Sequence, residues 1–203
     1  MSTDASIVTP CDWRADLPVL TARGAVLREP AVSDLGALVD LLSLTDASRF
    51  GLDEAVSDRA VQDFIARAQR LRAAGQSFTF VVATGAGRPI VGLVHVRQLD
   101  PAFEAGEWDA TLQPSARGTS VFLEVARLVG SFAFGSVGVR RLEARVLLQN
   151  GRANGALRKL GAVQEGILRR SVRRGGEYCD QVLWSVLKED WTDHWVSTAP
   201  RVH

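Results

Sequence analysis

The stretch from Trp108 to Phe134, WDATLQPSARGTSVFLEVARLVGSFAF, limits the folds open to this chain more than any other. Its first residues suit a strand. Residues 114–120, Pro-Ser-Ala-Arg-Gly-Thr-Ser, form a loop of small residues. Val121, Phe122, Val125, Leu128, Val129 and Phe132 then recur at steps of three and four, the spacing of one helix face. A strand, a small-residue loop and a helix bring unpaired backbone N–H donors and the positive end of the helix macrodipole to one point, which suits an anion. Gly118 lets backbone approach a ligand with no Cβ in the way, and Arg117 adds a charged fork. The stretch therefore reads as a phosphate-binding turn near residues 117–121. An ordinary strand–helix connection fits the same residues. A Gly-x-Gly-x-x-Gly fingerprint and a Gly-Lys-Ser/Thr end are both missing, which argues against a dinucleotide site or a P-loop.

The rest of the chain supplies the partners of this unit. Residues 24–29 (GAVLRE) suit a short strand, stopped by Pro30. Ser33-Asp34 caps a helix with Leu35, Leu38, Val39 and Leu42 on its buried side. A second helix fits 57–73, with Val61, Phe64, Ile65 and Ala68 inward and Gly75 at its end. The period then changes. FTFVVAT (78–84) and IVGLVHVR (90–97) read as a hairpin. Strands follow at 107–112, 141–148, 162–169 and 180–187, with helices over 120–134 and 152–160. Residues 1–20 read as an irregular arm, 21–191 as one domain, and 192–203 as a tail. The order β, α, α, β, β, β, α, β, α, β, β predicts one α/β (α+β) domain with a mixed sheet.

Composition excludes several classes. A formal net charge of +1 gives no nucleic-acid footprint. No apolar run approaches a membrane span, and MSTDASIVTPCDW is not a secretory signal. Cys11 and Cys179 form no disulfide framework, and His95, His194 and His203 do not cluster, so no metal site is expected. A cytoplasmic monomer or homodimer is expected.

Four segments in this order, VGVRRLEAR (137–145), NGRANGALRKLG (150–161), GILRR (166–170) and EYCDQVLWSVLKEDW (177–191), together with Gly118-Thr119-Ser120 opening the third helix, resemble the GNAT superfamily of acetyl-CoA-dependent N-acetyltransferases. Within it the chain most resembles the branch of ribosomal-protein N-terminal acetyltransferases, over about residues 20–191. The resemblance implies a GNAT-like fold, with a mixed, mostly antiparallel sheet of about seven strands flanked by about four helices. It implies acetyl-CoA as co-substrate and an amine acceptor, either a protein N-terminus or a small molecule.

The resemblance also implies roles for particular residues. Gly118 matches the first glycine of the family's pyrophosphate loop. Ser120 stands where a second is expected and Ser115 where an Arg or Gln would lead, so Arg117 is the candidate charge, with Thr119 and Ser120 in the turn. A backbone N–H near Leu112 matches the oxyanion donor. Asn150 matches the residue that bonds the pantetheine arm, although Asn150-Gly151 is also a helix-capping turn. Ala153 stands where the branch often has a serine near the leaving thiol, with Asn154 beside it. Arg152, Arg158 and Lys159 either reach the nucleotide phosphates or form a solvated face. Glu107 is the candidate general base, since a carboxylate in a partly apolar cleft has its pKa raised; the alternative is a strand residue facing solvent. Glu104 and Asp109 are the reserves, and His95 amid valines reads as packed. Glu177 and Tyr178 are candidates for the acceptor. Asp46, Asp53 and Glu54 form an acidic loop that either attracts a cationic amine or is simply solvated. Two other readings remain: an acyl-CoA-binding module without turnover, favoured by Ser120 and Ala153, and a protein whose tail (Trp191, Trp195, Val196) docks onto a partner.

Overall fold

The structure, a computed structural model, describes residues 12–44, 50, 52, 55–85 and 89–191. Eight strands form one sheet: β1 (Leu20–Thr21), β2 (Val26–Arg28), β3 (Ser77–Ala83), β4 (Ile90–Gln98), β5 (Ala105–Leu112), β6 (Arg141–Leu147), β7 (Val163–Arg174) and β8 (Glu177–Leu187). Their spatial order is β1-β2-β3-β4-β5-β6-β8-β7, and every neighbouring pair is antiparallel except β5 with β6. Among the described residues four α-helices cover it: α1 (Leu35–Ser43), α2 (Asp58–Ala73), α3 (Val121–Phe132) and α4 (Gly151–Lys159).

Strand alternation divides the core between the two faces. One face carries Phe78, Phe80, Val94, Val96, Leu142, Ala144, Val182 and Trp184 and packs on α3 and α4. The other carries Val81, Ile90 and Leu93 and packs on α1 and α2. β3 is buried along its whole length, so Phe78, Phe80, Val81, Val82 and Ala83 serve both faces and the polar Ser77 and Thr79 are buried with them. α2 begins where expected because the Ser57 hydroxyl accepts the Ala60 N–H at 3.2 Å.

Three features differ from expectation. Within the arm, Trp13 and Leu17 enter the core, and Trp13 meets Phe78 and Phe103 edge-on at 6.0 Å each. β7 and β8 run further toward their connecting turn than expected. Their outer halves, Arg169-Arg170-Ser171 and Glu177-Tyr178, stand in solvent and so lack apolar alternation. Trp191 is not a docking residue. It is 8% exposed, packs at a tilt against Phe134 with ring centroids 5.5 Å apart, and fills the space over Gly130, where an added Cβ would lie 2.4 Å from its ring. Trp195 and Val196, like Asp46, Asp53 and Glu54, lie outside the described residues. Among the described residues no helix is long and apolar enough to cross a membrane.

Candidate active site

The site exists because β5 and β6 part. They pair only from Ala105↔Arg141 to Glu107↔Glu143. Beyond that point β5 stays with β4 as far as Leu112, and β6 stays with β8 as far as Leu147. Backbone on the two facing edges is thereby released from ladder pairing. A cleft of about 120 Å³ opens there, with Trp108, Asp109 and Ala110 on one wall and Ala144, Arg145, Val146 and Leu147 on the other. Phe122, Asn150, Ala153 and Leu157 close it from α3 and α4, and Val172, Arg174 and Gln181 from the β7–β8 hairpin.

Phe122, in the first turn of α3, brings the cleft to the start of that helix, which follows the turn at Gly118. Gly118 sits at φ +81°, a left-handed conformation that favours glycine, and a Cβ added there would meet nothing within 4 Å. The glycine serves the backbone, and the space over it is open. Arg117 is folded back, its Nε donating to the Leu112 carbonyl at 2.8 Å, so it ties the turn to the end of β5. Thr119 Oγ1 donates to the Ala116 carbonyl at 2.8 Å and accepts the Val121 N–H at 3.3 Å. Ser120 takes φ −66°, which any residue adopts, so a glycine is not required there. Its hydroxyl donates to Glu124 Oε1 at 2.9 Å, and Glu124 Oε2 accepts the Gly24 N–H at 2.7 Å. Glu124, which no motif in the sequence marks, anchors the start of α3 to the N-terminal strands and turns the Ser120 hydroxyl away.

The start of α4 is held differently from expectation. Asn150 caps the helix, its Oδ1 accepting the Ala153 N–H at 3.1 Å, while it lines the cleft beside Ala153. Asn154, expected as a cofactor ligand, has its amide spent inside the fold. Nδ2 donates to the carbonyls of Leu147 and Asn150, both at 3.0 Å, and Oδ1 accepts the Trp184 Nε1–H at 2.8 Å. Arg158 lies 5.7 Å over the Trp184 ring and not in the cleft. Leu112 lies past the cleft wall with its side chain buried.

Glu107 is neither solvent-facing nor in an apolar wall. It is 8% exposed, pairs with Arg97, and has Oε1 3.6 Å from Arg145 Nε. Asp109, the reserve, does line the cleft. Glu177 and Tyr178 do not; Tyr178 is 59% exposed with Arg170 stacked at 5.4 Å. A bulge between Leu168 and Val172 puts Arg170 at φ +49°, its N–H held by Asp180 Oδ1 at 2.8 Å, and from this hairpin Val172 and Arg174 line the cleft instead. Trp108, Phe122, Arg145, Arg174 and Gln181 are therefore site residues to which the sequence reading assigned no role. The odd-numbered residues of β6 were the available signal, because their charges alternate with the core-facing Leu142 and Ala144.

His95 stands opposite Asp109 in the β4–β5 register and shares a hydrogen bond with Thr79 Oγ1 at 2.9 Å. Burial, then the positive charges of Arg97 and Arg67, push its pKa from 6.5 down to about 4. The imidazole is thus neutral at pH 7. Because the folded value is the lower one, the unfolded chain takes up the proton first as pH falls. Stability present above pH 6.5 is lost progressively toward pH 4, with an upper bound of about 3 kcal/mol. His95→Gln is expected to flatten this acid limb, measured by thermal melts between neutral and acid pH.

A model of the acetyltransferase (GNAT) domain matches residues 25–163. The chain belongs to the GNAT acetyltransferase family. Acetyl transfer from acetyl-CoA is the general function of this family. It is 27% identical over 116 residues to the probable N-acetyltransferase YjcK of Bacillus subtilis, an alignment covering 57% of this chain and 64%, just under two thirds, of that relative. Its fold resembles the ribosomal-protein-S5-alanine acetyltransferase of Vibrio fischeri, with a TM-score of 0.74, 18% identity, and 86% and 98% of the two chains covered. It also resembles Mycobacterium smegmatis RimJ in complex with CoA-disulfide, with a TM-score of 0.72, 20% identity, and 85% and 87% covered. At these identities the likeness is one of fold.

Proposed function

We propose that this chain moves an acetyl group from acetyl-CoA to a primary amine, by direct attack in a ternary complex. The observation that carries this reading is the parting of β5 from β6 into a cleft that Phe122, in the first turn of α3, lines, with the open turn at Gly118 just before that helix. A pantetheine arm laid between the released edges would have backbone partners on both sides, while the first turn of α3 meets the pyrophosphate. The rings of Trp108 and Phe122, 6.0 Å apart, wall the inner end and favour a short acyl group.

The acceptor nitrogen attacks the thioester carbonyl carbon, the carbon–sulfur bond breaks, the sulfur leaves as thiolate, and the proton the nitrogen sheds as the amide forms passes through water to that thiolate. A backbone N–H of β5 between Trp108 and Leu112 meets the developing oxyanion. The ammonium must first lose a proton, and we assign that task to Asp109, directly or through one water, because it stands in the cleft wall. Glu107 lies behind it and acts on Arg145. Ala153 offers no hydroxyl to the leaving thiolate, the one feature that favours a binding module without turnover.

Release of CoA thiol in the presence of amines separates the two readings, since binding without release would leave only the module. Asp109→Asn is expected to lower kcat/KM by about 100-fold at neutral pH, a loss that shrinks as pH rises and free amine increases. Glu107→Gln is expected to cost less activity. If the two variants rank in the opposite order, Glu107 is the base.

A further inference from the structure

Resting on the acetyl-transfer reading, we infer that the acceptor carries an anionic group, such as a carboxylate, close to its amine, held by Arg145 and Arg174. The face of the sheet opposite α3 and α4 is covered by α1 and α2 over β3 and β4. Across β4, β5 and β6 that same face carries an ordered set of charges. Arg97 pairs with Glu107, and Arg145 lies 3.6 Å from Glu107 and 3.8 Å from Glu143. Arg141 meets Glu143 at 3.0 Å and Glu165 at 2.5 Å. Three arginines thus face three glutamates, and this set balances.

Asp109 on β5 and Arg174 on the hairpin line the cleft, one charge of each sign. Arg145 also lines the cleft, and its bonding is incomplete. Both of its glutamate contacts are longer than a hydrogen bond, and its Nε is buried with no hydrogen-bond partner. The Nε itself is closed to a ligand, but the Arg145 side chain is 37% exposed, so a ligand oxygen in the cleft meets the rest of the guanidinium and gains a charge-assisted hydrogen bond. Asp109 toward an ammonium and the forks of Arg145 and Arg174 toward an anion form a frame for a molecule bearing both.

The anion has two possible sources, the α-carboxylate of a free amino acid or a side-chain carboxylate next to a peptide N-terminus. The test uses the full chain with acetyl-CoA and reads thiol release on matched pairs, each compared per unit of free amine. One arm sets the standard amino acids against their α-carboxamides; the other sets the dipeptide amide Ala-Glu against Ala-Gln. In one arm the charged member is expected to lead by about tenfold in kcat/KM, carried by KM, as for one charge-assisted contact. Arg174→Gln is expected to bring that ratio close to one, and Arg145→Lys, which keeps charge but loses the fork, to reduce it. Equal or better use of the uncharged member in both arms overturns the inference, as does a ratio unmoved in both variants.

A binding measurement separates this from the transfer reading. N-acetylated members of the same pairs are titrated into the CoA complex. Tighter binding of the charged product with no thiol release from any amine sinks the transfer reading and leaves the anion site standing. Turnover without discrimination does the reverse, and no binding and no turnover sinks both.

Discussion

Gly118→Trp is expected to weaken acetyl-CoA binding by about 100-fold or more, the loss of two charge-assisted hydrogen bonds of roughly 1.5 kcal/mol each. The size of the effect follows from the open space at this position. A side chain at residue 118 meets no protein atom within 4 Å, so an indole there stands over the first turn of α3, where the phosphates would lie. Folding feels much less. The left-handed φ of +81° costs a non-glycine residue about 1–2 kcal/mol, which lowers the melting temperature of a chain of this size by roughly 2–8 °C. Gly118→Ala isolates that conformational cost, because its methyl fits the open space. Calorimetric titration with acetyl-CoA, and with CoA as reference, should show alanine close to the parent and tryptophan without measurable heat. Tryptophan binding as tightly as glycine would remove the turn from the cofactor site.

Ser120 shows why this turn was only partly legible. Placed on the family pattern, a serine where glycine is expected signals a crowded phosphate loop. The backbone at Ser120 is right-handed and needs no glycine, and Glu124, one turn on, takes its hydroxyl. A contact four residues apart on a helix is readable from spacing. The second contact of Glu124, to the Gly24 N–H, spans 100 residues and is fixed only by the tertiary fold.

The same division runs through the molecule. The strands and helices that pack on both faces announce themselves by period, because burial imposes alternation on β6 and a three-to-four repeat on α3. The outer half of the β7–β8 hairpin lacks such a signal, since both of its faces are wet, and so Arg174 could not be placed at the cleft. Glu107 was expected at the site from its position in β5. What a single strand does not reveal is its neighbours: Arg97 from β4 and Arg145 from β6 enclose the carboxylate, whereas Asp109, two residues on and on the same face, opens on the cleft. Pairing across strands decides which of two similar carboxylates meets a substrate.

Asn154→Ala is expected to lower stability by about 3–4 kcal/mol, among the larger effects for one substitution. Asn154 is 9% exposed, and its amide joins three elements: the Leu147 carbonyl at the end of β6, the Asn150 carbonyl at the start of α4, and the Trp184 indole on β8. Removing it leaves a buried indole N–H and two carbonyls without these partners. The end of β6 is also the wall of the cleft, so the parting from β5 depends on this anchor. Asn154→Asp provides the discriminating control. It keeps an acceptor for Trp184 but turns a carboxylate toward two carbonyl oxygens, so it should not restore stability. Urea unfolding should place both variants well below the parent, and CoA affinity should fall in parallel where they are still folded. If alanine proves harmless to folding while CoA binding is lost, the amide belongs to the cofactor and not to the frame. The geometry favours the frame, because each hydrogen-bonding atom of that amide already has a protein partner within 3.0 Å.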